Sequence, residues 1–213
     1  MKFKAILFDF DGTLANTTDI ILAGFHKACL DVMGHDVPDE EIIKTFGLTL
    51  KAGMEALADK PEQVDPMRDT YRDYFYANHD AMIKSLPGVQ EALAKLYAQG
   101  ILMAVVTSKR RPMALRGIEC VGLTPYISSV VACTDIENPK PAPDGMLAAI
   151  KALGVKPEEC LCVGDSPFDL QSGHNAGTQA AAVRYTLFDW QEMLEQGKPD
   201  YVLEKIEDLL KLV

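Results

Sequence analysis

The apolar and polar positions of this chain change rhythm twice. Phe3 to Phe8 is short and, apart from Lys4, apolar, the pattern of a strand buried on both faces. It closes on Asp9-Phe10-Asp11 and breaks at Gly12. From Asn16 to about Lys84 the apolar residues fall at helical spacing instead. "DIILAGFHKACLDVMG" predicts a helix that stops at Gly34, and Pro38 with Asp39 and Glu40 opens a second. "FGLTL" interrupts this stretch, and "DPMRDTYRDYFYANHDAMI" predicts a third, longer helix. No strand is expected in this block.

After "LPGV" at 86–89 the chain alternates. Strands are expected at "ILMAVVT", "ISSVVAC", "CLCVGD", "QAAAVR" and "DYVL". Helices are expected at "VQEALAKLYAQG", "PMALRGIECVGL", "PDGMLAAIKALG", "PFDLQSGHNAG", "DWQEMLEQG" and "IEDLLKLV". Such alternation argues for an α/β fold with a parallel sheet covered on both faces. The expected layout is a core of residues 1–15 and 81–213 with a helical insert at 16–80. An insert leaving the first strand there lies over the carboxyl ends of the strands, where open α/β sheets bind ligands.

Composition narrows the function. The 213 residues suit one domain carrying a smaller insert, and a hydrophobic fraction of 48% supports a core of ordinary size. The net charge of −10 argues against nucleic acid and anionic membranes as partners. It also means that an anionic substrate needs a local cationic site. The five cysteines lack paired spacing, and no apolar run approaches the ~18–20 residues that span a bilayer. The N-terminus lacks the form of a signal peptide, so a cytoplasmic location is expected.

The strand ends carry the chemistry. The first predicted strand ends in Asp9 and Asp11, and the second in Thr107-Ser108-Lys109. The third is followed by Lys140 in "NPKPAPDG". The fourth ends in Gly164-Asp165-Ser166, with Asp169 four residues past Asp165. Parallel strands share one carboxyl edge, so these groups should converge. Carboxylate oxygens suit Mg²⁺, and Asp9 and Asp165 offer two ligands. Thr107, the Ser108 backbone N–H and Lys140 would hold a phosphoryl group. Asp9 would attack phosphorus, and Asp11 would serve as general acid and then base.

The strings "DFDGTL", "VTSK", the lone Lys140 before "PAPD", and "VGDSPFD" resemble the four signatures of the haloacid dehalogenase-like hydrolases. The resemblance covers essentially the whole chain. It implies a Rossmann-like core with an inserted all-helical type 1 cap. It further implies that Asp9 is the nucleophile and a metal ligand, and that Asp11 is the acid/base, binding metal through its backbone carbonyl. Thr107 and Lys140 would hold phosphate. Asp165 would be the remaining metal ligand, Asp169 an outer acid, and Gly12 and Thr13 the turn that fixes the first loop. An acid at Asp11 resembles the phosphatase and mutase branches rather than the dehalogenases. "LANTTDIILAGFHKA", "FGLTL", "YRDYFYANHDAMIKSLPGV" and "HNAGTQAAAV" look closest to subfamily IA members of the phosphoglycolate phosphatase and inorganic pyrophosphatase type. Lys109 matches a lysine common in that branch, and the cap loop around Gly47 would reach the substrate.

The expected function is therefore Mg²⁺-dependent hydrolysis of a small phosphorylated metabolite, a phosphoglycolate-like monoester or pyrophosphate, by a monomer or homodimer. A phosphosugar mutase is the alternative. It is weakened because the cap loop offers Leu50 and Lys51 where such mutases carry an arginine. A phosphoacceptor signalling module is remote, because such modules lack both the cap and an acid at the Asp11 position. His26 and His79 have no second histidine at ligand spacing, which argues against zinc. Tyr71, Tyr74 and Tyr76 read as packing on the third cap helix.

Overall fold

The structure, a computed structural model, describes residues 2–213. Strand β1 (Ala5–Phe8) is followed by a two-residue strand β2 (Ala15–Asn16). Four helices come next: α1 (Thr18–Met33), α2 (Asp39–Ile43), α3 (Leu50–Leu57) and α4 (Val64–Met82). Strand β3 (Lys84–Ser85) pairs antiparallel with β2, so a short ribbon closes the helical insert where the chain leaves and returns. The chain then alternates through α5 (Val89–Ala98), β4 (Leu102–Thr107), α6 (Arg111–Cys120), β5 (Ser129–Ala132), α7 (Asp144–Leu153), β6 (Cys160–Gly164), α8 (Pro167–Asn175) and β7 (Gln179–Val183), and later adds β8 (Tyr201–Leu203). Six strands form one sheet in the order β5-β4-β1-β6-β7-β8, and each pairing is parallel.

Strand register explains why the apolar runs are continuous. Ile6, Met103, Leu161 and Ala181 face one apolar layer, whereas Leu7, Ala104, Cys162 and Ala182 face the other. Both faces are therefore dry, and alternate side chains serve different layers. Helices α7 and α8 cover the second face with Met146, Ile150 and Leu170. Helices α5 and α6 cover the first with Leu93, Leu96 and Ile118, and this layer continues into the insert. Of the five free cysteines, those at 29, 133, 160 and 162 are buried or half-buried, and burial pushes their thiols up, while Cys120 is exposed.

Within the insert, α1 packs on α4 by close approach. A Cβ on Gly24 would lie 2.8 Å from the Tyr71 ring. Tyr71 meets Phe25 edge-on at 5.2 Å and stacks on Phe75 at 5.4 Å, and Phe75 lies 5.4 Å from His79. Tyr71, Phe75 and His79 share one face of α4 because they are four residues apart. Asp80, next along, is bound by Arg116 of α6 at 2.9 Å, which ties the end of this helix to the core. Among the described residues, no helix is long and apolar enough to cross a membrane.

Two expectations are modified at the C-terminus. "DWQEMLEQG" makes only a short α-turn at Trp190–Glu192 before widening into a π-type turn at Met193–Gly197. "IEDLLKLV" winds as a 3₁₀ segment over Ile206–Lys211. Both still deliver an apolar anchor to the sheet, Met193 to one face and Ile206 with Leu209 to the other.

Candidate active site

Parallel pairing of β1 with both β4 and β6 brings their carboxyl ends together. Asp9 continues β1, its backbone N–H donating to Val163 O at 2.9 Å. Thr107 ends β4, and Asp165 follows β6. A recess of about 90 Å³ opens over these ends. Asp9, Asp11, Thr107, Ser108, Lys109 and Asp165 line it from below, and Gly47 with its loop neighbours lines it from the insert. Thus residues from widely separated segments meet around one small cavity.

Lys140, Asp169 and Thr13 sit behind this lining. The Lys140 ammonium, 6% exposed as a residue, donates to Asp9 Oδ1 at 2.7 Å, Asp169 Oδ1 at 2.6 Å and the Val106 carbonyl at 2.7 Å. Its three protons are all engaged. Burial works against its charge, but Asp169 and Asp9 outweigh that and hold its pKa above the usual lysine value. Lys140 therefore fixes one oxygen of Asp9 and leaves the other facing the recess. Asp169 is committed on both oxygens: Oδ2 accepts the Ser166 hydroxyl at 2.6 Å and the Ser166 N–H at 3.0 Å. Ser166 in turn caps α8 by accepting from the Asp169 N–H. The capping box that starts this helix thus also aims the lysine's second partner.

Thr13 donates to Asp165 Oδ1 at 3.0 Å. The turn before it needs Gly12. That residue sits at φ +76°, and a Cβ there would come within 2.3 Å of Asp165 Oδ2. Gly12→Ala is therefore expected to cost about 1–2 kcal/mol in backbone strain and to displace the Asp165 carboxylate. Titration of activity with Mg²⁺ should show weaker metal binding, with half-saturation moved at least about tenfold upward, the shift produced by some 1.4 kcal/mol.

Asp11 and Lys109 form an ion pair across the recess floor, and the same ammonium lies 4.9 Å from the centre of the Phe75 ring. Lys109 therefore touches both the core acid and the insert. Ser108 makes a second bridge, its hydroxyl donating to the Gly47 carbonyl at 2.7 Å. Gly47 itself (φ +82°) packs where a Cβ would meet Ser166 Oγ at 2.8 Å, so the insert loop descends close to the core. Thr107 accepts from the Lys109 N–H at 3.2 Å, which leaves its hydroxyl proton available.

The donor set fits a hard divalent cation. Ligand oxygens of Asp9, Asp165 and Asp169 lie within 4.8 Å of one another. Asp169 is committed on both oxygens, whereas Asp9 and Asp165 are each held through Oδ1 only, which leaves one oxygen of each for a cation. Burial, reinforced by neighbouring acids, pushes Asp9 up to about 7 despite Lys140, and raises Asp165 strongly. Two buried carboxylates in this state are short of positive charge, which oxygen-seeking Mg²⁺ would supply.

A pH test follows. Asp9 has a folded pKa above its unfolded value, so its contribution to stability is full below about 4. That contribution is lost as pH rises through about 7. In metal-free protein, the melting temperature of Asp9→Asn minus that of wild type should grow from pH 4 to pH 7. Added Mg²⁺ should shrink the difference by stabilising wild type.

Tyr71 was expected only to pack. It does pack, at 8% exposure, and it also walls the recess with Ile21 and Phe25. Its apolar neighbours at helical spacing gave no sign of this second surface. Tyr76 and His79 follow the same helix, but neither lines the recess, and burial keeps His79 below its usual pKa.

A parallel α/β core with acids at its carboxyl edge, partly roofed by an inserted helical module, defines a Rossmann-like fold with a helical insert over its candidate site. The family model described as haloacid dehalogenase-like hydrolase matches residues 6–183, and the chain belongs to that family. It is 38% identical over 213 residues to a protein of Caldanaerobacter subterraneus subsp. tengcongensis with a provisional pyrophosphatase PpaX name, covering 100% of this chain and 96% of that one. It is 36% identical over 213 residues to pyrophosphatase PpaX of Halalkalibacterium halodurans, covering 100% and 98%. Its fold resembles the crystal structure of a predicted phosphoglycolate phosphatase from Haemophilus somnus 129PT, with a TM-score of 0.91 at 24% identity over 100% of this chain and 98% of that one.

Proposed function

We propose that the protein is a Mg²⁺-dependent phosphatase acting on a small phosphorylated metabolite, a phosphoglycolate-like monoester or pyrophosphate, through an aspartyl phosphate. The observation that carries this reading is the meeting of Asp9, Asp11, Thr107 and Asp165 around one recess, with Lys140 locked beneath Asp9. The names of the similar proteins, pyrophosphatase and phosphoglycolate phosphatase, agree with it.

In this mechanism the free oxygen of Asp9 attacks phosphorus. The bond from phosphorus to the leaving oxygen breaks, and Asp11, which enters this step protonated rather than as the ionised partner of Lys109, gives that oxygen its proton. Asp11 then takes a proton from water as that water attacks phosphorus. The bond to Asp9 breaks, phosphate leaves, and both carboxyl groups are restored. Thr107 and the Ser108 N–H hold the phosphoryl oxygens, while Lys140 keeps Asp9 aimed. Asp9, Asp165 and the Asp11 carbonyl would hold Mg²⁺, whose charge would let two acids and a phosphate share one small volume. Residues 16–80 act as the cap that limits water to the one that reacts.

Phosphate release by purified protein tests this proposal. With Mg²⁺, pyrophosphate, phosphoglycolate and p-nitrophenyl phosphate should each give many turnovers per chain, and EDTA should stop them. A single phosphate retained per chain, or release unaffected by EDTA, would contradict it.

A further inference from the structure

A second and larger cavity, about 280 Å³, adjoins the catalytic recess and shares Tyr71, Ser108 and Lys109 with it. The 90 Å³ recess has room for a phosphoryl group and little more. The neighbour approaches the roughly 300 Å³ at which pockets begin to take whole organic ligands. It lies between the inserted helices and the core, and none of Asp9, Asp11 and Asp165 lines it.

Its lining has two parts. Phe75, Tyr76 and Met113 give it an apolar wall. Arg72 from the insert and Arg110 from the core give it cationic groups beside Lys51, which reaches Glu55 at 3.6 Å, and Lys109, which is paired with Asp11; no carboxylate lines it. In a chain of net charge −10 that is a local reversal of sign. Neither arginine is strongly neutralised. Arg72 reaches Asp69 only at 3.7 Å, and Arg110 forms no ion pair among the described residues. Both arginines line this one cavity, as does Cys133. Neither arginine lines the catalytic recess, so a leaving group confined to that recess does not meet them.

We propose that this cavity takes the leaving group, and that Arg72 and Arg110 select one bearing a second anionic group beyond an apolar spacer. The inference rests on the phosphatase reading above and narrows its substrate class. Bare pyrophosphate places its second phosphate next to the first. A carboxylate or phosphate several bonds away would instead cross the Phe75 and Met113 wall and end between the two guanidiniums.

Matched substrates test it. Straight-chain alkyl phosphates and ω-carboxyalkyl phosphates of two to six carbons would be compared by kcat/KM with Mg²⁺, beside pyrophosphate and p-nitrophenyl phosphate. The carboxylate should raise kcat/KM over the plain alkyl partner by about tenfold at the longer spacers, as expected for one charge-assisted contact. It should do less at two carbons. Arg72→Gln and Arg110→Gln should each reduce that ratio toward one. Arg110 is exposed, so its variant should fold, and melting curves would verify both variants. Turnover of p-nitrophenyl phosphate with a ratio near one at every length overturns this inference and leaves the phosphatase reading standing. A ratio unmoved in both variants also overturns it. No turnover of any substrate overturns both.

Discussion

Asp9→Asn is expected to fold at least as well as wild type and to release no measurable phosphate from any substrate. The two halves of this outcome have one cause. Asp9 is 8% exposed and shares its surroundings with Asp165, Asp169 and Asp11. Burial and these acids push its pKa up to about 7, so its ionised form costs the folded protein stability. Asparagine removes that cost and keeps the shape. It still offers an oxygen to Lys140, whose charge remains matched by Asp169 at 2.6 Å. The amide oxygen is a poor nucleophile toward phosphorus, so the covalent step stops. A loss of four orders of magnitude or more in kcat, with an unchanged or higher Tm, is the expected pair of readings. Function here is held against stability, as at many active sites.

Lys140→Met has the opposite signature. The methionine keeps much of the apolar stem but removes a cation buried between two carboxylates and a carbonyl. Asp9 and Asp169 are then left facing each other without compensation. Breaking a buried ion pair from one side costs about 3–5 kcal/mol. For a chain of this size, that corresponds to a fall in Tm of roughly 6–20 °C. Lowering the pH should recover part of the loss in this variant, because protonation discharges the stranded acids. Activity should also collapse, since nothing holds Asp9 in one rotamer. The two variants separate two roles: Asp9 is needed for chemistry, whereas Lys140 is needed for chemistry and for the fold around it.

Much of this architecture is legible in the sequence because burial leaves a period. The "AILF" and "CLCVG" runs are continuous because successive side chains enter different dry layers, so the parallel sheet could be read from these runs and their alternation with helical stretches. The helical insert was visible as a change of spacing, and the end of its first helix at Gly34, which takes the left-handed φ of +81°. The β2–β3 ribbon was not visible, because two residues carry no period. The final segment read as α-helix because 3₁₀ and α spacings differ little over six residues.

At the site, the identities of the polar strand ends were legible, but their partners were not. Lys140 meets Asp9 across 131 positions, and Lys109 meets Asp11 across 98. No local pattern encodes such pairs; they follow from the strand order β4-β1-β6. Asp169 is the intermediate case. Its spacing from Ser166 announces a capping box, but only the fold shows that its other oxygen holds the lysine. The adjoining cavity was invisible for the same reason, since Arg72 and Arg110 come from opposite sides of the interface between insert and core.

The central claim is that Asp9 itself receives the phosphoryl group. Protein quenched during steady turnover with Mg²⁺ can be reduced with borohydride, which converts an acyl phosphate to an alcohol, and its peptides then weighed. The account predicts that the peptide carrying Asp9 alone loses mass, only when substrate is present, and not in Asp9→Asn. Sustained turnover with Asp9 unmodified and the phosphoryl group found on another side chain would contradict it.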